Sequence, residues 1–411
     1  MSLDSQWSCF RTSPKRLLPV IVMPLSYRIY DGTSQVDEDR WNEVHRAGGN
    51  PFTDLRMARA VERSMAADTR CWPVIISDGE RPVAVTVFSR YRVDGALLAG
   101  GWIAKLTVWM RRIMPGYLHL KVLFCGLPVS AGQRPLAIAA GADTGAVIQT
   151  LNAALEEMAI RLRARLIVIK EFEQEDAPWL EPPCRRYGYR RADSLPMNRF
   201  ENRFGSFEEY LAARGKRTRY NIRRSLRKFD EAGLRVVQMA GGEEAARLYT
   251  DQVHRLYEAV LARSPTKLES LPAEFFRQVS RQMGGDAHFT FIYQGERVVG
   301  VSCSVADAAV FRMMFCGIDY EVNEASDLYF NLMFRDLDRG LRHGAAAVNV
   351  GQSSDQFKAR LGCRQVPLHF YIKGRGVMRT LLWMFSRWAL PSVELLPPSE
   401  AFQSGNPQST V

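Results

Sequence analysis

The segment from Gly205 to Gly233 reads GSFEEYLAARGKRTRYNIRRSLRKFDEAG and carries the clearest structural pattern of the chain. Ser206 precedes two acidic residues, which is typical of a helix N-terminus, and Gly215 is expected to interrupt the helix that starts there. A second helix is expected next, because apolar residues recur at i, i+4 and i+7 and would share one buried stripe. They are Ile222, Leu226 and Phe229. Gly233 then supplies a left-handed residue that ends the helix, and a strand is expected after it.

The same segment holds eight lysines and arginines between Arg214 and Lys228 and no acidic residue. Cations this close together repel each other unless an anion lies nearby, whereas an ordinary solvated helix surface, which is the alternative, usually intersperses acids. We therefore expect an anion-binding face, which phosphate, a carboxylate, tRNA, an acidic carrier protein or anionic lipid would satisfy. Arginine suits a bidentate grip on phosphate or carboxylate, so this face is expected to bind substrate. The predicted substrate contacts are Arg217, Tyr220, Asn221 and Arg223.

Composition indicates a globular protein with room for two domains. The chain has 411 residues, a net charge of +11 and 46% hydrophobic residues. It lacks a run of about eighteen apolar residues, so no spanning helix is expected. Its seven cysteines and six histidines are scattered, which predicts free thiols in a reducing compartment and no metal site. We expect a cytoplasmic protein, with a peripheral position at the inner membrane face left open.

An internal repeat relates the two halves of the chain. A strand, a tight turn at Gly79 and a second strand predict a hairpin over residues 72–88, and the same order returns over 289–301 with Gly295 in the turn. The motif Gly-Glu-Arg-x-Val-x-Val occurs in both hairpins at an offset of 216 residues (295 minus 79). A third strand, an amphipathic helix and an apolar strand are expected after each hairpin. The helices are predicted at 142–163 and 326–342, and the apolar strands at 166–169 and 347–350.

Three phrases set within this repeated order carry a family resemblance. They are Gly205-Ser-Phe-Glu-Glu-Tyr-Leu211, Arg217-Thr-Arg-Tyr-Asn-Ile-Arg-Arg224 and Gly351-Gln-Ser-Ser-Asp-Gln-Phe-Lys358-Ala-Arg-Leu-Gly362. Over residues 38–373 the chain resembles the tandem-GNAT-fold transferases. More narrowly, it resembles the Fem-type peptidoglycan aminoacyltransferases and the related FemAB-like and cellulose-operon acetyltransferase-like proteins.

The resemblance implies an α/β protein of two tandem GNAT-like domains, with mixed sheets flanked by helices. The expected GNAT-like domains are residues 26–200 and 201–375. Composition predicts a disordered or variable N-terminus at 1–25 and an amphipathic segment with a disordered tail at 376–411. It also implies transfer of an acyl or aminoacyl group from an activated donor to an amine, without metal and without a bound cofactor. The acceptor would be a small molecule or a cell-envelope amine.

Two departures from the GNAT pattern bear on the donor. The loop at 319–326 is acidic and has no glycine, unlike the loop that cradles the coenzyme A pyrophosphate in ordinary GNAT enzymes. In the first half, Ala140-Gly-Ala-Asp-Thr-Gly145 is a partial substitute, whose free helical N–H groups are expected to bind a phosphate. Acyl-CoA, a carrier-protein thioester and aminoacyl-tRNA all stay open as the co-substrate.

The loop and short helix at 351–362 are the predicted catalytic centre. A buried strand leads into Gly351, and Ser353 and Gln356 have the spacing of a capping box. Lys358 would lie near the helix N-terminus and neutralise an oxyanion or the donor phosphate. The resemblance implies the same role for Lys358, and an exposed surface lysine is the alternative.

The other candidates are less sharply indicated. Asp319 follows an apolar strand, where loss of water would favour a proton-accepting carboxylate, with Tyr320 beside it. A simple turn cap is the alternative for Asp319. Gln352 and His254 are secondary candidates for substrate binding or catalysis.

Two further segments combine apolar, aromatic and basic residues, at 101–114 and 373–388. Each would either pack on the body of the protein or lie in a membrane interface. The competing function is a non-catalytic anion- or RNA-binding protein that uses the basic helix at 214–228.

Overall fold

The computed structural model describes residues 25–66, 69–94, 119–129, 132–264, 270–353 and 355–389. The strands of these residues form one mixed sheet of 13 strands. They are β1 Ser26–Ile29, β2 Arg70–Asp78, β3 Arg81–Asp94, β4 His119–Cys125, β5 Leu136–Ile138, β6 Leu166–Glu173, β7 Arg190–Glu201, β8 Arg235–Ala240, β9 Ala287–Gln294, β10 Arg297–Ala306, β11 Val310–Ile318, β12 Ala347–Asn349 and β13 Arg364–Gly374. Their order along the sheet is β1-β2-β3-β4-β6-β13-β7-β12-β11-β10-β9-β8, and β5 pairs with β3 beside this path.

Helices pack against this sheet, and several of them begin at an aspartate, serine or threonine that accepts a backbone N–H. The α-helices of the described residues are α1 Glu38–Gly48, α2 Leu55–Ser64, α3 Thr144–Leu162, α4 Ala177–Arg186, α5 Phe207–Ala212, α6 Lys216–Glu231, α7 Glu243–Leu248, α8 Asp251–Arg263, α9 Ala273–Met283, α10 Tyr320–Ser326, α11 Leu328–His343, α12 Asp355–Leu361 and α13 Val377–Ala389. The capping side chains are Asp37, Asp54, Asp143, Ser206, Thr250 and Asp319. Local capping chemistry therefore sets many of the helix starts.

Both predicted hairpins are present. β2 and β3 pair antiparallel around Gly79, and β9 and β10 pair antiparallel around Gly295. These glycines have φ values of 56° and 57°. A residue with a Cβ rarely adopts such a conformation, so each tight turn depends on its glycine.

Each hairpin leads into the same parallel unit, which confirms the predicted duplication. In the first half β4 runs parallel to β6, and α3 lies between them in the chain. In the second half β11 runs parallel to β12, with α11 between them. The predicted α/β class with a mixed sheet flanked by helices is therefore confirmed.

The two halves exchange their last strands. β7, which ends the first half, pairs antiparallel with β12 of the second half. β13, which ends the second half, pairs antiparallel with β6 of the first half, and β7 and β13 also pair with each other. Backbone hydrogen bonds thus cross the expected limit at residue 200 in both directions, and the domain limits themselves stay predictions.

The halves also share a hydrophobic core. Trp41 and Met57 from α1 and α2 belong to one buried cluster with Phe275, Phe276 and Phe289 from the second half. A separate cluster lies under α3 in the first half, and two others lie under α6 and α11 in the second.

Candidate functional site

The arginine-rich helix α6 forms as its sequence pattern predicts. It starts at Lys216 directly after Gly215, and its C-terminus is followed by Gly233 with a φ of 63°. The predicted apolar stripe is confirmed, since Ile222 and Phe229 are buried and Leu226 is half-buried. The preceding helix α5 is capped by Ser206, whose Oγ accepts the backbone N–H of Glu209 at 3.2 Å.

A buried amide anchors α6 to its neighbours. The side-chain Nδ2 of Asn331, on α11, donates to the backbone oxygen of Ser225 at 3.0 Å and to its Oγ at 3.2 Å. The same nitrogen reaches the carbonyl oxygens of Ser326 at 3.3 Å and Asp327 at 3.1 Å. One side chain therefore links α6, α10 and α11.

The polar face of α6 is unneutralised along most of its length. Lys228 pairs with Asp327 at 3.1 Å, and Arg219 donates to the carbonyl oxygen of Ala212. For the other arginines of the helix, the described part of the chain offers no carboxylate within salt-bridge distance. These are Arg217, Arg223, Arg224 and Arg227. The helix therefore presents a cationic surface, as an anion-binding face would.

The two flanks of α6 border different depressions. One flank lines an open depression of about 940 Å³ with Arg217, Tyr220, Arg223 and Arg227. The other flank faces α11 and α12 across a narrower space of about 300 Å³, called the basic cleft here. The polar side chains of the basic cleft are Thr218, Asn221, Arg224, Ser225, Lys228, Asp327 and Arg360, and its aromatic side chains are Phe330, Phe334 and Phe357. Of the four predicted substrate contacts, only Asn221 lies in the basic cleft.

The parallel strands β11 and β12 separate beside the predicted catalytic loop. They pair only from Val310 to Arg312 on β11, although β11 continues to Ile318. After β12 the chain turns at Gly351, whose φ is 91°. Asn198 of β7 fixes this turn, because its backbone N–H and its Nδ2 both donate to the carbonyl oxygen of Gly351, at 3.1 and 2.9 Å.

Lys358 is buried beside this turn. The predicted short helix exists as α12, and Lys358 within it is only 3% exposed, so the alternative of a surface lysine is wrong. A Cβ added to Gly351 would lie 3.3 Å from the Lys358 Nζ, which shows how closely the ammonium approaches the turn. The predicted capping box of Ser353 and Gln356 spans residue 354, which lies outside the described residues.

Two protonated thiols lie within the electrostatic range of Lys358. Burial raises the pKa of Cys316 to about 11 and the pKa of Cys363 to about 12, while the charge of Lys358 acts in the opposite direction at both. Both thiols keep their protons at neutral pH, so neither is a thiolate nucleophile. Among Cys316, Cys363 and Lys358, the Lys358 ammonium is therefore the candidate catalytic group.

Asp319 and Tyr320 are engaged in structural contacts. Asp319 caps α10, with Oδ1 accepting the backbone N–H of Glu321 at 2.9 Å, and Oδ2 lies 2.9 Å from Arg297. The Arg263 guanidinium lies 3.5 Å from the centre of the Tyr320 ring. The Asp319 carboxylate thus forms the cap that was the alternative interpretation. The role of Asp319 as a base stays a prediction.

The secondary candidates lie apart from the basic cleft. Gln352 donates from Nε2 to the carbonyl oxygen of Leu195 at 2.8 Å, which ties the loop after Gly351 to β7. His254 packs in the shared core against Tyr257 and Phe276, and burial lowers its pKa. His254 is therefore packed in the core, and its role at the site stays a prediction. Arg360 lines the basic cleft, but the sequence analysis does not predict it as a site residue. It stands two positions after Lys358 in the same motif.

The phosphate site expected in the first half is wrong. Asp143 caps α3, and its Oδ1 accepts the backbone N–H groups of Gly145 at 2.9 Å and Ala146 at 3.1 Å. Amides expected to be free for a phosphate are thus bound by a carboxylate of the same loop. In the second half the acidic segment 319–326 is largely the capped helix α10 and not a glycine-rich loop.

Within the described ranges, no group of three or more histidine, cysteine, aspartate or glutamate side chains is placed to hold a metal ion. None of the described helices is long and apolar enough to cross a bilayer. Segment 101–114 lies outside the described residues, whereas most of segment 373–388 belongs to α13.

Comparison with known proteins identifies the domain that contains these elements. The acetyltransferase (GNAT) domain family matches residues 216–359, a range that includes both α6 and Lys358. No sequence among the curated proteins matches the chain significantly.

Solved structures extend the likeness to both halves. FemX is similar at 10% identity and a TM-score of 0.54, over 86% of this chain and 98% of FemX. L-PGS from Bacillus licheniformis is similar at 12% identity and a TM-score of 0.51, over 87% and 98%. The C-terminal domain of a putative lysylphosphatidylglycerol synthetase from Agrobacterium fabrum is similar at 11% identity and a TM-score of 0.50, over 87% and 98%. At these identities the likeness concerns the fold. Residues 216–359 therefore match the acetyltransferase (GNAT) domain family, and the two halves together share the fold of FemX and L-PGS.

Proposed function

We propose that this protein transfers an acyl or aminoacyl group from an activated donor to an amine, with the reacting carbonyl held near Lys358. The buried ammonium beside Gly351 is the observation that supports this most directly. Lysine is rarely this buried, and buried ionisable groups concentrate at functional sites. A positive charge that is already desolvated and fixed stabilises a developing oxyanion strongly.

The remaining chemistry needs few side chains. An attacking amine has to lose a proton, and the leaving thiol or hydroxyl has to gain one, while close alignment of donor and acceptor supplies much of the acceleration. Direct transfer fits the site better than an acyl-cysteine intermediate, because Cys316 and Cys363 are buried as neutral thiols.

We propose that the donor is gripped by arginine side chains and not by loop amides. Arg224 and Arg360 line the basic cleft together with Phe330 and Phe357, so the cleft offers both cationic and apolar contacts. A carrier-protein thioester or an aminoacyl-tRNA fits this arrangement better than acyl-CoA, whose usual pyrophosphate loop is replaced by α10. The acceptor is proposed to be a small-molecule or cell-envelope amine, reached from the cytoplasm or from the inner membrane face.

The test is a turnover assay with a panel of acyl-CoA, acyl carrier thioester and charged tRNA, in which donor consumption is read by mass spectrometry. Lys358→Met keeps the aliphatic stem and removes the charge, so we expect turnover to fall by roughly 100-fold or more while donor affinity stays within about threefold. Lys170→Met removes a lysine of the first half, where Nζ donates to the carbonyl of Pro128 at 2.9 Å, and provides the matched control.

Unchanged turnover in Lys358→Met, or an equal loss in both variants, would contradict the role of Lys358. The competing function, binding of an anionic partner without catalysis, predicts a different pattern. No donor would be consumed, and replacing Arg223 and Arg224 would abolish salt-dependent retention of nucleic acid.

A further inference from the structure

Exposed apolar side chains concentrate on α13, the last helix that the structure describes. Among the described residues seven large apolar side chains are exposed, and four of them lie within eight positions of α13. They are Val377 (68% exposed), Leu381 (37%), Trp383 (70%) and Met384 (50%). Val377, Leu381 and Met384 recur at i, i+4 and i+7, so they form one stripe with Trp383 beside it. Contiguous exposed apolar surface of this kind marks an interaction site.

The opposite side of α13 is already docked. Met378 and Leu382 pack on the sheet against a buried cluster that includes Val122, Leu166 and Ile372. The helix is therefore held by the body of the protein, and its apolar stripe is directed away from that contact.

A basic cluster adjoins the N-terminus of α13. A depression of about 620 Å³ there is lined by Arg163, Arg165, Lys373, Arg375 and Arg379. Glu156 is the acid in this lining, and it pairs with Lys373 at 2.6 Å and with Arg375 at 3.0 Å. The other three arginines are exposed, and the described residues provide no carboxylate partner for them. The cluster is therefore strongly positive.

We propose that α13 and this basic cluster form a docking surface for an anionic phospholipid bilayer. The apolar stripe with Trp383 would enter the interface, while Arg163, Arg165 and Arg379 contact headgroup phosphates. A nucleic acid would satisfy the arginines but would leave the apolar stripe in water. A lipid surface satisfies both features at once. Docking of this kind is independent of the transfer chemistry at Lys358.

The experiment uses the full-length protein in sedimentation with vesicles at about 0.15 M salt. One vesicle population is phosphatidylcholine alone, and the other contains about one third phosphatidylglycerol. We expect binding to the anionic vesicles and at least about tenfold weaker binding to the neutral ones.

Surface variants identify the face that binds. The triple variant Leu381→Ser, Trp383→Ser, Met384→Ser and the charge reversal Arg163→Glu, Arg379→Glu should each weaken binding to anionic vesicles by about tenfold or more. The matched control reverses the same number of charges on exposed arginines elsewhere, Arg247→Glu and Arg255→Glu, and should change binding by less than about twofold. Trp383→Phe should keep vesicle binding but lose part of the blue shift in tryptophan fluorescence that binding produces.

Several results would overturn the proposal. Anionic vesicles could leave the wild-type protein in solution, or the control pair could weaken binding as much as the pair at the basic cluster. Self-association that the triple variant abolishes, without vesicle binding, would assign the face to a second copy of the chain. Binding of inorganic phosphate without vesicle binding would reduce the cluster to a site for soluble anions. Lys358→Met should bind vesicles like the wild type. The vesicle assay therefore tests membrane docking independently of the transferase proposal.

Discussion

Asp336 is a buried carboxyl group on α11, the helix that connects the diverging strands β11 and β12. It is 2% exposed, and its Oδ1 accepts a hydrogen bond from the Thr290 hydroxyl at 2.8 Å. Burial raises its pKa to about 6, although hydrogen bonds and the charge of Arg339 act in the opposite direction. Removal of water disfavours the charged form, so the folded protein holds this proton more tightly than the unfolded chain does.

This raised pKa predicts a loss of stability as the pH increases. The favourable contribution is complete below the unfolded pKa of about 4 and is lost as the pH rises through the folded value of about 6. Asp336→Asn removes the titration. The free energy of unfolding of this variant, relative to wild type, should rise by about 2 kcal/mol between pH 4 and pH 7. Urea denaturation across this range measures it.

Asp338→Asn is the control variant for these pH measurements. Asp338 lies on the same helix, and its carboxylate forms an ion pair with Arg342 at 2.7 Å. A pH-independent difference between Asp336→Asn and wild type would contradict the assignment of the proton to Asp336.

Single residues also show the limit of sequence reasoning at the site. The local pattern around Lys358 allows an exposed or a functional side chain, and the pattern around Asp319 allows a turn cap or a functional carboxylate. The structure separates them, because Lys358 is buried against Gly351 while Asp319 caps α10 and pairs with Arg297. Residues distant in the chain determine whether each side chain is buried or paired, so local sequence spacing does not predict it.

The helix α6 was predictable as an element, since its glycine boundaries and its apolar period are local signals. Its orientation was not. Asn331 of α11 stands 106 positions beyond Ser225, and its amide determines how α6 rests on α10 and α11. That orientation turns Asn221 and Arg224 toward α12 and directs Arg217, Tyr220 and Arg223 to the other flank.

Removing this anchor should loosen α6. Asn331→Ala removes the side-chain donor of four buried contacts, although the Asp327 carbonyl oxygen still accepts the backbone N–H of residue 331 at 3.1 Å. We therefore expect the free energy of unfolding to fall by about 2–3 kcal/mol. Ser225→Ala removes one acceptor among four and should cost less than about 1 kcal/mol. Chemical denaturation measures both variants, and hydrogen exchange of the α6 amides should report faster local opening in Asn331→Ala. Equal stability of the two variants would show that the amide does not anchor the helix.

The exchange of end strands couples the whole molecule. β13 fills the position between β6 and β7, so each half lacks a strand of its sheet when the other half is absent. The shared cluster around Trp41 and Phe275 adds a second connection. Unpaired sheet edges and exposed core faces favour aggregation, which makes either half alone a poor folding unit.

We therefore predict one cooperative unfolding transition, with calorimetric and van't Hoff enthalpies in a ratio of about one. Fragments 1–203 and 204–411 should fail to fold when each is produced alone and should assemble when they are produced together. Near-ultraviolet circular dichroism and size-exclusion chromatography measure this, with the intact chain as the control. A native-like spectrum from either fragment alone would refute the coupling.

The sequence by itself determined the elements whose causes are local. Glycine at the hairpin turns, side-chain caps at the helix starts and the apolar period of α6 each act within a few residues, so the repeated hairpin–strand–helix–strand order and the cationic helix were readable from the chain. The GNAT resemblance depends on the same local phrases, and the acetyltransferase (GNAT) domain family matches residues 216–359.

Only the tertiary structure decided the pairings between residues far apart in the chain. The strand exchange, the burial of Lys358 against Gly351 and the carboxylate cap on α3 depend on which partners the fold brings into contact. Hydrogen bonds between distant strands and the removal of water from a side chain are set by the packed molecule, and short-range spacing carries no record of them.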